Sequence, residues 1–308
     1  MEERGLGGDF ATMDPVTPDG SVEYPTMDTY IPADPPPVSS EFLIPDWLNF
    51  TIALIGLAGN IVVLWFLRDR TQRNSISVYV INLAVADFLF LCTFIILYVV
   101  VFTGQVNPVH YVYFHVMRLF SYITGVSMIS AISSECCLSV LFPNWYHSHR
   151  PRHTSSVTSS VLWVVAFLLV ILTYTLCITL FYTADDICRI MHFITAAWLI
   201  FLFVVLSGSS LVLLIRILCG SGRLLITRLH VTLGLRVLVF FLCGLLLGIL
   251  WIKSGTNSYI SNSLWSIAGF LSIINSSVNL IIYFSVGSFR HKSLWLSVHK
   301  ALEDVTEE

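Results

Sequence analysis

The chain has 308 residues, 56% of them hydrophobic and 11% charged, with a mean hydropathy of +0.81. A soluble domain carries about 25% charged residues, so this composition excludes a water-soluble globular protein and requires a membrane one. With a net charge of −3, no nucleic-acid partner is expected.

Residues 1–46 are rich in Pro, Asp, Thr and Gly ("IPADPPPVSS") and hold ten of the 19 acidic residues. They contain no apolar core of a signal peptide, so no cleavable signal is expected, and the composition predicts a disordered acidic extracellular tail. Asn49-Phe50-Thr51 matches a glycosylation sequon but lies at the membrane boundary, where it is expected to stay unmodified. Seven continuous apolar runs follow, near residues 48–67, 77–102, 112–141, 157–182, 193–215, 229–252 and 262–286. A helix crosses the hydrocarbon core with about 20 apolar residues, whereas a membrane β-barrel shows short alternating segments. The expected fold is therefore an all-α membrane protein. A seven-transmembrane helix bundle spans 47–286, and 287–308 form an amphipathic eighth helix and a short cytoplasmic tail. In that last stretch Phe289, Leu294, Leu296, Val298 and Leu302 alternate with basic residues, a pattern that lies on a membrane surface.

The first connector holds Arg68, Arg70 and Arg73, the third Arg150 and Arg152, the fifth Arg223 and Arg228, and the tail Arg290, Lys292 and Lys300. The opposite side holds Arg4, Arg189 and Lys253. Cytoplasmic loops carry the excess of Lys and Arg, so the odd connectors and the C-terminus face the cytoplasm and the N-terminus lies outside.

Ionisable groups within a bilayer are costly and mark function. Asp87 lies in segment two, Arg118 and Glu135 in segment three, and Arg236 in segment six. Asn60, Asn275, Ser276 and Asn279 fall in segments one and seven at depths that surround Asp87. Such a polar knot, with one carboxylate, amides and a hydroxyl, suits a sodium ion or a few waters; it equally suits a hydrogen-bonded packing cluster. No other cofactor is expected. Cys136 and Cys137 are adjacent, and neighbouring helix residues point about 100° apart. They make a poor disulfide or metal pair, and the cytosol is reducing.

These residues carry a resemblance. "GN" in segment one, "LAVAD" in segment two, Trp163 in segment four and "NLIIY" in segment seven resemble the rhodopsin class of G-protein-coupled receptors. The stretches "NLAVADFLFL", "SECCLSVLFPNWYHSHRPRH", "TAAWLIFLFVVLSGSSLVLLIRILCG", "TRLHVTL" and "IIYFSVGSFR" resemble the Mas-related family, nearest its sensory-neuron and mast-cell branch, over about residues 48–300. The resemblance implies a multi-pass plasma-membrane receptor. Its partners would be an extracellular small molecule or peptide, a heterotrimeric G protein and the lipid bilayer.

The departures from that family concern its activation switch. Glu135 is followed by Cys136 where the family has arginine, Leu246 stands for the proline of segment six, and Leu280, before Tyr283, for that of segment seven. A thiol has neither the reach nor the fixed charge of a guanidinium. Proline kinks a helix, so segments six and seven should be straighter and stiffer without it. Arg236 stands where the family is usually uncharged. It is expected either to snorkel to the cytoplasmic interface or to pair with Glu135 as a substitute latch.

The resemblance also implies a disulfide between Cys177 and Cys188, with Cys92, Cys219 and Cys243 as free packing residues. Acids that attract cationic ligands in relatives are matched here by Tyr174 and His192, with Asp185 and Asp186 the only nearby loop acids. A pocket of Arg118, His115, Tyr122, Tyr174 and His192, lined by aromatics such as Trp198, Trp251 and Trp265, should prefer a neutral or anionic ligand; Arg118 equally suits snorkelling to the outer interface. No catalytic constellation, Gly-rich phosphate loop or metal-spaced cluster is present, so no enzyme is expected. Two functions remain: a signalling receptor, or a coupling-deficient decoy or dimer partner that has lost the arginine and both prolines.

Overall fold

The computed structural model describes residues 45–68, 75–105, 107–151, 153–179, 185–219, 228–254, 260–279 and 282. The acidic tail, Leu280, Tyr283 and the expected amphipathic helix lie outside them. The described residues form α1 (Asp46–Arg68), α2 (Ser75–Phe102), α3 (Pro108–Leu141), α4 (Pro143–Ser148), α5 (Thr154–Thr179) and α6 (Asp185–Cys219). Then come α7 (Arg228–Val239), a π-helical turn (Phe240–Gly244), α8 (Leu245–Ser254) and α9 (Asn262–Ser277). Among the described residues six spans are long and apolar enough to cross a membrane, with α7, the π-turn and α8 running on as one. The seventh predicted segment contributes α9, and its i→i−4 bonding continues through Val278 to Ile274 at 3.2 Å and Ile282 to Val278 at 2.9 Å.

Helix ends fall where local chemistry puts them. Pro108 opens α3 at a position whose N–H needs no partner, and the Asn107 side chain accepts the Val109 N–H at 3.1 Å. Pro143 cannot continue α3, and it starts α4 instead. The Ser261 hydroxyl caps α9 by accepting the Leu264 N–H at 3.4 Å. Asp185 and Asp186, expected in a loop, are the first two residues of α6.

The bundle is built around α3, whose span is 72% buried against 17% for α5. Outward faces carry Trp65, Phe102, Val204 and Leu242, all more than half exposed, a surface that would aggregate in water and that lipid solvates. Along the buried face of α3, Ser121, Thr124, Ser127 and Ser130 each donate to the carbonyl four residues back at 2.8–2.9 Å. This back-bonding satisfies hydroxyls that have no water to turn to. Facing α6, Ser209 donates to the Ser133 hydroxyl at 2.7 Å, Ser133 and Ser210 lie 3.1 Å apart, and Ser130 also reaches the Leu202 carbonyl at 3.2 Å.

Two glycines allow close approach. At Gly56 a Cβ would stand 2.8 Å from the Cα of Ser277, so α1 and α9 meet nearly backbone to backbone. Gly56→Ala is therefore expected to destabilise the protein by about 1–3 kcal/mol through overpacking. Gly208→Ala, with nothing within 4 Å, should be neutral; thermal unfolding of both in detergent checks the contrast. At Gly244 a Cβ would meet the Phe240 ring at 2.6 Å.

Segment six, expected to be straighter and stiffer without proline at Leu246, widens its bonding to a π-turn beside that ring, with the Leu245 N–H bonded back to the Phe240 carbonyl. Phe240 is completely buried, and its ring folds over the side-chain-free Gly244. A π-turn interrupts a helix without proline.

Candidate functional site

Polar groups gather at three levels of the bundle. At the outer level Cys177 of α5 and Cys188 of α6 form the expected disulfide, with Cα atoms 4.8 Å apart. On α3, Arg118 donates to His115 Nδ1 at 3.1 Å. A guanidinium has no acceptor, so this imidazole carries its proton on Nε2. The His115 ring meets Tyr174 of α5 edge-on, with centroids 5.8 Å apart. His192 of α6 stacks on Trp251 of α8 at 4.1 Å and bonds the Trp251 carbonyl at 3.2 Å. The structure thus brings Arg118, His115 and Tyr174 together, and His192 with Trp251. Trp198 packs against the core, tilted against Phe201 at 5.6 Å, with its indole N–H buried and without a hydrogen-bond partner.

Tyr122 was expected in this outer pocket and is not there. Its side chain turns toward the bundle centre and its hydroxyl donates to the Gly244 carbonyl of the π-turn at 3.0 Å. The fit is tight, since a Cβ at Gly248 would come within 2.6 Å of that hydroxyl.

At the central level the polar knot forms as expected. Asn60 donates to the Gly56 and Ser276 carbonyls, each at 2.9 Å. Asn279 donates to Asn60 Oδ1 at 2.9 Å and to Asp87 Oδ2 at 2.7 Å. The unexpected member is Arg236. Its Nη2 lies 3.0 Å from Asp87 Oδ2, and its Nη1 donates to the Asn275 carbonyl at 2.6 Å and to Asn275 Oδ1 at 2.9 Å. Arg236 is 5% exposed and Asp87 4%. Neither expectation for Arg236 holds: it does not snorkel, and it does not pair with Glu135. A buried guanidinium needs a carboxylate and carbonyl acceptors, and Asp87 with Asn275 supplies both.

At the inner level Glu135 finds a different arginine. Arg150, in the segment that follows α4, places Nη2 2.6 Å from Glu135 Oε1 and 2.7 Å from the Ser155 hydroxyl, and its Nη1 donates to Ser75. Tyr79 donates to the same Glu135 oxygen at 3.2 Å, and the guanidinium lies 5.0 Å over the Tyr146 ring. Burial holds the Tyr146 phenol above its ordinary pKa. The clamp ties α2, α3, α4 and α5 together. Cys136 is 1% exposed within the core, and neither it nor Cys137 is in a disulfide. Among the described residues no group of three or more His, Cys, Asp and Glu is placed to hold a metal.

Sequence reasoning counted Arg150 only as a topological charge. Its proximity to Glu135 has a visible cause, Pro143, which ends α3 and turns the chain back.

The family model described as "7 transmembrane receptor (rhodopsin family)" matches residues 59–283. The chain is 48% identical over 270 residues to Mas-related G-protein coupled receptor member X1 of Homo sapiens, covering 84% of this chain and 83% of that one. It is 46% identical over 310 residues to member X2 of Homo sapiens, covering 96% and 94%. Member X2 of Hoolock hoolock is 47% identical over 308 residues, with the same coverage.

Proposed function

Because the chain belongs to the rhodopsin family of seven-transmembrane receptors, and within it to the Mas-related G-protein coupled receptors, we propose that this multi-pass plasma-membrane protein is a receptor for a neutral or anionic small molecule or peptide, relaying to a heterotrimeric G protein. The observation that carries the ligand class is the outer cluster of Arg118, His115 and Tyr174. A fixed guanidinium with an imidazole and a phenol favours anionic or hydrogen-bonding groups over a cation. His192 and Trp251 add a stacked aromatic pair on the opposite helices.

A coupling-deficient receptor is the second reading, and the inner level favours it. The family's arginine after Glu135 is here the buried Cys136, and Glu135 is held instead by Arg150. A guanidinium fixed between Glu135, Ser75 and Ser155 is committed to the bundle rather than offered to a partner.

The test compares surface expression with basal and ligand-panel calcium and cAMP responses in wild type and Cys136→Arg. A wild type that is silent at the surface and responsive after the change supports the second reading, since the new arginine competes with Arg150 for Glu135. Full signalling by wild type removes it and supports the first.

A further inference from the structure

The central knot has the ligand types a sodium ion uses, and its geometry tests whether they remain available. Sodium would need several oxygen lone pairs converging on one point. Asp87 Oδ2 is already taken by Arg236 Nη2 at 3.0 Å and Asn279 Nδ2 at 2.7 Å. Both Asn275 oxygens are taken by Arg236 Nη1 at 2.6 and 2.9 Å. Asn279 presents its N–H side, not its oxygen, to the carboxylate. On the α3 side Gly125 faces Asp87 Oδ1 without a hydroxyl, and the Ser121 hydroxyl at the cavity wall already donates to the Met117 carbonyl at 2.8 Å.

The remaining cavity, bounded by Asp87, Ser121, Tyr122, Arg236, Asn275 and Ser276, has a volume of about 10 Å³. That is about the room of one water molecule. Arg236 Nε lies buried without an acceptor, which is the group such a water would satisfy. Charge gives the same answer. The carboxylate and guanidinium already neutralise each other, and a sodium ion would add an unpaired charge in a low-dielectric interior.

We propose that Arg236 is a built-in cation that takes the place of sodium in the central knot, making the receptor insensitive to sodium and tying α7 to α2 and α9. Arg236 is thereby a positioning residue for segment six. The proposal holds whether or not the protein couples to a G protein, so its test needs no signalling readout.

The experiment is thermal unfolding of the full chain in detergent, with sodium chloride titrated against N-methylglucamine chloride at fixed ionic strength. Wild type should show no sodium-specific change in midpoint. Arg236→Gln should unfold earlier in N-methylglucamine and regain ~2 °C or more, saturably, as sodium rises. A saturable sodium-specific rise in wild type overturns the proposal, as does a folded Arg236→Gln that ignores sodium. If Arg236→Gln yields no folded protein, Arg236→Lys carries the test. Its ammonium keeps the charge but not the planar fork. It should fold with a lowered midpoint and ignore sodium, and a sodium response in that variant rejects the built-in cation.

Discussion

Asp87→Ala is expected to be the most damaging single change, lowering stability by about 3–5 kcal/mol and removing most receptor from the cell surface. The substitution leaves the Arg236 guanidinium, 5% exposed, with only the Asn275 oxygens in the middle of a bilayer. Removing the other partner should do less harm. After Arg236→Met the carboxylate keeps the Asn279 donor at 2.7 Å and can take up a proton, which a guanidinium can never lose. The double variant Asp87→Ala/Arg236→Met should recover much of the loss, because it strands no charge. Unfolding midpoints of the four proteins in one detergent decide the matter. Additive losses in the double variant would show that the pair contributes nothing jointly.

Arg150→Ala should cost about 3 kcal/mol for the same reason at the inner level. Glu135 would keep the Tyr79 hydroxyl at 3.2 Å as a donor, and its Oε2 is already buried without one. The same change removes the bridge from Ser75 to Ser155, so α2 and α5 should separate locally. Glu135→Gln in the Arg150→Ala background should restore part of the stability by deleting the stranded charge. A midpoint for Arg150→Ala within experimental scatter of wild type would dismiss the clamp as a structural element.

Much of the architecture was legible because the bilayer imposes long apolar runs; the helices overlie those runs, although α6 starts at Asp185, ahead of the run expected from residue 193. The central knot was legible because Asn60, Asp87, Asn275, Ser276 and Asn279 are polar residues at matching depths, and matching depth requires them to meet. The arginines were harder. Arg236 was open to snorkelling or to pairing with Glu135, because Glu135 lacks the arginine neighbour of its relatives. The choice of Asp87 depends on which face of α7 turns inward, and the π-turn alters that register in a way no local residue announces. Tyr122 was misplaced for a related reason. Its hydroxyl finds the Gly244 carbonyl, and that acceptor sits in the π-turn that sequence reasoning did not foresee. Arg150 was missed because it lies beyond a helix end, where periodicity carries no information about the return path.

The hydroxyl seam between α3 and α6 has a mechanical consequence. Ser133 touches both Ser209 and Ser210, and Ser130 divides its hydrogen bond between its own helix and the Leu202 carbonyl. A hydroxyl rotates freely and both donates and accepts, so α6 can advance along α3 by a fraction of a turn and exchange one partner for the next without leaving any group bare. The guanidinium of Arg236, by contrast, is fixed to Asp87 and to both Asn275 oxygens. Displacements within the bundle should therefore be unequal: away from its disulfide to α5, α6 can step along α3, while α7 is held at Arg236 by partners that cannot be exchanged in this way.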